Sequence, residues 1–121
     1  MLLTKQLFAE VKNNNKLKVV KVKVPNTDHE CFIKEMSLAE ADSFDLSRLD
    51  PDGNVITSDF RTRLLIRTIC DETGTLLFDP ESPKDFELLK SLPAKILRPL
   101  AKKAQELNGM TDKEIEETEK N

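Results

Sequence analysis

Few residues in this chain have side chains that could react, and their spacing limits what they can do. His29 is the single histidine, and the two cysteines, Cys31 and Cys70, lie far apart in the chain. Together they match no familiar spacing for a four-ligand zinc site. His29 and Cys31 fall on the same face of an extended segment, and a thiol beside an imidazole is the beginning of a nucleophilic pair. Nothing nearby supplies a group to orient the imidazole or donors for an oxyanion, so the pair reads as a turn-edge histidine next to a core thiol. Asp50-Pro51-Asp52-Gly53-Asn54 has the composition of a calcium loop, but such a loop needs glycine at its sixth position and a glutamate at its twelfth. Here glycine stands fourth and the twelfth residue is Arg61, so the segment reads as a plain turn. Three glycines in all cannot build a phosphate-cradling loop. The abundant carboxylates fall on helix surfaces and turns, where solvated faces are commoner than acid–base pairs. The expectation is a non-catalytic protein without metal or cofactor.

The elements that carry these residues are readable from caps and periodicity. Thr4 caps a helix reaching about Asn13, with Leu3 and Phe8 spaced for a hydrophobic staple. Residues 16–24 (KLKVVKVKV) then alternate, with Val20, Val22 and Val24 on one face and Lys21 and Lys23 on the other. Leu17 and Val19 break parity, which points to a bulge near Val19-Val20. A turn at residues 25–28 leads to a second extended run from His29 to Met36, so a β-hairpin is predicted. Apolar residues on both faces of that run imply that helices cover part of the sheet.

Ser37-Leu38-Ala39-Glu40 has capping-box spacing and starts a helix running to about Leu49. Residues 58–70 form the most apolar helical candidate, a central helix closed at Gly74. Ser82-Pro83-Lys84-Asp85 opens a further helix to about Leu92. The next, over 93–108, lines up Ile96, Leu97, Leu100, Ala104 and Leu107 and closes at Gly109, with Pro99 either kinking it or marking its start. Thr111-Asp112-Lys113-Glu114 repeats the capping spacing ahead of a charged tail with little but Ile115 to bury.

The chain of 121 residues fits one domain: a helix and hairpin over 1–36, a helical part over 37–109, and an acidic C-terminal helix or tail over 110–121. The fold class is therefore α+β, an N-terminal antiparallel hairpin packed with a mostly helical C-terminal part. With 38% apolar and 34% charged residues and no Trp or Tyr, the core must be aliphatic with phenylalanine. No apolar run is long enough for a membrane span and no secretory signal is visible, so the chain is expected in the cytoplasm with reduced cysteines. Residues 1–27 hold six lysines against Glu10 alone, a net +5, and the remainder holds 13 basic against 21 acidic residues, a net −8. That contrast favours self-association or a basic partner, although exposed charge also serves solubility. The lysine-rich strand lacks the interleaved aromatics that stack on bases, and lysine on an open strand guards against edge-to-edge aggregation, so nucleic acid is not expected.

Three stretches, in order, resemble the tail assembly chaperones of long-tailed phages and prophages. Residues 32–44 (FIKEMSLAEADSF) are similar to that family's strand, turn and acidic helix start. Residues 60–78 (FRTRLLIRTICDETGTLLF) resemble its arginine-bearing helix, D-E-x-G turn and following L-F, and residues 104–111 (AQELNGMT) with the ending Glu119-Lys120-Asn121 resemble its L-N-G junction and terminus. The resemblance covers about residues 30–121. It implies a protein that binds the tape measure protein before the tail tube forms, helps recruit the major tail tube protein, works in the host cell cytoplasm and is absent from the mature virion. A structural tail-completion or head–tail joining protein retained in the virion is the alternative. A long helical client would be gripped by apolar helix faces, and the expected partner surface is Leu97, Leu100, Ala104 and Leu107 with Ile115. The ordinary reading of the same stripe is core, and burial within the chain decides between the two.

Overall fold

The computed structural model describes residues 2–110. Helix α1 (Lys5–Asn14) starts where Thr4 Oγ1 accepts the Leu7 amide, and strands β1 (Val19–Lys23) and β2 (Glu30–Lys34) follow. Their antiparallel register runs unbroken from Val19↔Lys34 to Lys23↔Glu30, so the expected bulge is not there. Val20, Val22, Cys31 and Ile33 share the core face, whereas Val19 and the two strand lysines take the other. The hairpin turn holds Asn26 at φ 62° and is tied by Thr27 Oγ1 donating to the Val24 carbonyl at 2.8 Å.

Helix α2 (Leu38–Ser47) has the full capping box: Ser37 Oγ accepts the Glu40 amide at 3.2 Å and Glu40 Oε1 accepts the Ser37 amide at 3.0 Å. The second oxygen of Glu40 pairs with the Lys34 ammonium, joining strand to helix. Burial alone would push the Glu40 carboxyl upward, but the hydrogen bonds from Lys34 and Ser37 and the Lys34 charge outweigh it and hold the carboxyl below its ordinary value. A depressed carboxyl stabilises the fold above its unfolded pKa and stops doing so as pH falls through the folded value. Glu40→Gln is therefore expected to melt below the parent at pH 6 and to converge on it as pH falls below about 4. Melting curves across that range test it, and a constant gap between the two proteins would refute it.

The expected central helix over 58–70 is a correction. Only α3 (Phe60–Leu65) is helical, and Ile69–Cys70 forms a third strand, β3, on the far side of β2 with Phe32↔Cys70 and Ile33↔Ile69 pairs. The helix tightens as Arg67 and Thr68 donate to carbonyls three residues back, and Thr68 Oγ1 satisfies the Leu64 carbonyl at 2.9 Å. The Lys34 amide then takes the Thr68 carbonyl at 2.9 Å, placing the chain in register with β2. The unpaired edge of β2 presents backbone N–H and C=O groups that a neighbouring extended segment can satisfy. The sheet is thus three-stranded, in the order β1-β2-β3, and the overall architecture is α+β.

Helix α4 (Pro83–Ser91) starts from Ser82, whose hydroxyl accepts the Asp85 amide, and α5 (Ala94–Leu107) passes through Pro99 without interruption. Pro99 is exposed and is the sixth residue of the helix, past its first turn, so α5 goes without the amide that would bond the Lys95 carbonyl. At the far end, the Gly109 amide donates to the Glu106 carbonyl and the Met110 amide to the Gln105 carbonyl, with Gly109 at φ 70°. This is a Schellman closure, and Met110 packs against the core beside it. The core gathers Ile33, Phe44, Phe60, Leu64, Ile66, Leu89, Leu100 and Ala104 around α3. Phe44 and Phe60 meet edge to face at 5.5 Å with the Arg48 guanidinium over both rings.

Candidate partner-binding surface

The stripe expected to hold a partner is part of the core. Leu100 is 4% exposed and Ala104 fully buried, while Leu97 and Leu107 pack partly against the same cluster. Leu100 and Ala104 could meet a partner only if the fold opened, so at those positions the apolar face of α5 is used by its own chain, while Leu97 and Leu107 stay partly exposed. Ile115, the capping sequence at Thr111 and the acidic tail lie outside the described residues.

The reactive candidates are also placed. His29 is exposed at the hairpin turn, its amide bonded to Thr27 Oγ1 and its carbonyl to the Val24 amide. Cys31 faces the core and Cys70 is buried on the opposite face of the sheet. Burial raises both thiols above their ordinary values, Cys70 despite an opposing effect from Lys34, so neither is primed as a thiolate. Asp50 Oδ1 accepts the amides of Asp52 and Asn54, both at 2.9 Å, and the Gly53 amide donates to the Asp50 carbonyl. The carboxylate is engaged in its own turn. Asp71 repeats this arrangement around Thr73, Gly74 and Thr75, and its carboxyl lies below its ordinary value, first through the Thr73 hydroxyl and then through the Thr75 amide. Among the described residues no group of three or more His, Cys, Asp or Glu could hold a metal ion, and no helix is long and apolar enough to cross a membrane.

The apolar surface left open lies elsewhere. Among the described residues none in α1 is buried, and Leu3, Phe8 and Val11 are 55, 60 and 45% exposed. Leu7, Phe8 and Val11 fall within one arc of the helix, about 100° wide at 3.6 residues per turn. The staple spacing of Leu3 and Phe8 is present, but neither side chain is buried. Lys5 and Lys12 border this arc on one side and Glu10 on the other, and among the described residues β1 pairs with β2 alone, with Lys21 and Lys23 exposed. The signal was in the sequence, as helical spacing of four apolar residues at positions 3, 7, 8 and 11. What the sequence could not reveal is that Leu3, Phe8 and Val11 stay exposed while Leu7 is partly covered.

Comparison of this chain with protein-family models, with curated proteins and with solved structures finds no match.

Proposed function

We propose that this protein works by holding another polypeptide, as a tail assembly chaperone of a long-tailed phage or prophage acting in the host cytoplasm. Its client is the tape measure protein, and it assists recruitment of the major tail tube protein without entering the virion. The observation that carries the reading is α1, a ten-residue amphipathic helix with no fully buried residue, on which Phe8 and Val11 are 60 and 45% exposed. A helix this short is marginal in water, and docking on a client supplies the burial it lacks. Lys5 and Lys12 along one margin of the arc suit a client segment that is apolar on one face and acidic along one edge. The stretches that carry the family resemblance add support: they coincide with the β2–α2 capping box, the β3 turn and the Asn108-Gly109 closure, which are positions that set the fold.

The double variant Phe8→Asp/Val11→Asp is expected to lose tape measure binding at least tenfold when co-expressed and co-purified. Its melting temperature should stay close to the parent's, because exposed substitutions usually move stability by no more than about 0.5 kcal/mol. Undiminished co-purification would remove α1 from the reading. Finding the protein at fixed stoichiometry in purified virions would instead make it a tail-completion or head–tail joining subunit.

A further inference from the structure

A groove runs between α2, α3 and the segment that leads into α4, and none of its lining residues belongs to α1 or β1. Its larger lobe, about 380 Å³, is lined by Ser43, Leu46, Ser47, Arg63, Arg67 and Phe86, with Pro80 and Glu81 on its rim. A smaller lobe of about 270 Å³ shares Arg63, Pro80, Glu81 and Phe86 and adds Glu87. The two arginines have different tasks. Arg63 is committed: Nη1 donates to the Ser47 carbonyl at 2.8 Å, closing the end of α2, and the guanidinium lies 5.5 Å from the centre of the Phe86 ring. Arg67 makes one such bond, Nη1 to the Arg63 carbonyl at 3.2 Å, and its buried Nε has no acceptor among the described residues.

A buried guanidinium nitrogen without an acceptor is costly, because it has lost water and gained nothing in return. Burial lowers the basicity of Arg67, with the neighbouring Arg63 charge acting in the same sense and Glu81 only opposing them. We infer that the larger lobe receives the carboxylate of an aspartate or glutamate side chain on a partner polypeptide, with Arg67 as its main donor. A carboxylate accepts the forked donors of a guanidinium well. The charge balance selects the ligand class. Arg63 and Arg67 against Glu81 leave the larger lobe one positive charge, which a single carboxylate neutralises, whereas a phosphate dianion would exceed it and face Glu81. The lobe opens to solvent and is flanked by Leu46, Pro80 and Phe86, so an apolar residue beside the acidic one has a seat. Glu87 gives the smaller lobe a net negative charge, which disfavours a second acidic residue there.

The full chain, labelled at arginine nitrogens, tests this by NMR of the Arg67 Nε–H. The probes are a blocked Ala-Leu-Glu-Leu-Ala peptide, its glutamine counterpart and inorganic phosphate. The glutamate peptide is expected to shift the Arg67 signal and to bind at least tenfold tighter than the glutamine peptide or phosphate. Arg67→Gln should abolish that difference. Ser43→Glu, on the exposed face of α2 beside the groove, keeps Arg67 and should block the glutamate peptide by supplying a carboxylate of its own. Equal binding of the two peptides, tighter binding of phosphate, no shift at all, or contacts from residues 111–121 to Arg67 in the free chain would each overturn the proposal.

Discussion

Replacing Asn108 by leucine is expected to destabilise the protein by roughly 2–4 kcal/mol, because one side chain joins segments more than seventy residues apart. Its Oδ1 accepts the Met36 amide at 2.7 Å, and its Nδ2 donates to the Ala104 carbonyl at 2.8 Å and to the Lys34 carbonyl at 3.3 Å. Met36 and Lys34 bracket the exit from β2 just before the Ser37 cap, so Asn108 fastens the end of α5 to the point where the sheet hands over to α2. The amide orientation follows from the partners, a donor on one side and two carbonyls on the other. Leucine fills similar space but leaves a part-buried amide without its acceptor, and the melting temperature should fall by about 8–20 °C. Asn108→Asp sharpens the test, since it keeps the acceptor for Met36 but turns a carboxylate oxygen toward the two carbonyls. It should be at least as damaging as leucine at pH 7 and should recover partly in acid, where the carboxyl becomes a donor. A variant of either kind that melts with the parent would show that the contact contributes nothing to stability.

Asn108 also shows where sequence reading stops. The helix ends were legible because capping is local: Thr4, Ser37 and Ser82 each accept an amide three residues on, and Gly109 takes the positive φ that closes α5. The β1–β2 pair was legible from alternation and a turn. Strand β3 was not, since Ile66, Ile69 and Cys70 fit a helical face as well as a buried strand. The choice was made by the free edge of β2, whose Lys34 amide takes the Thr68 carbonyl. Likewise, the stripe on α5 announced that those side chains would be covered, without saying by what. The groove at Arg67 was not legible at all. It depends on Arg63 and Arg67 being brought beside Ser43, Pro80 and Phe86 from three separate segments.

The second large effect settles the role of α5. If its apolar face were a docking surface, Leu100→Asp would leave the fold intact and abolish only binding; with Leu100 4% exposed against the α3 core, it should instead unfold the protein. Removing the leucine side chain from such a site costs about 2–5 kcal/mol through lost burial and the cavity left behind. Confining an unpaired carboxylate there adds several more, so the total should exceed about 5 kcal/mol, comparable with the whole stability of a small domain. Phe8→Asp provides the contrast, because at 60% exposure it removes little burial and meets water. Its effect on stability should stay within about 0.5 kcal/mol. Urea denaturation followed by circular dichroism distinguishes these outcomes: Leu100→Asp should show no cooperative transition at 25 °C, and Phe8→Asp should unfold at the parental midpoint. A cooperative transition in Leu100→Asp at the parental midpoint would return α5 to the surface and exclude the core packing described for it.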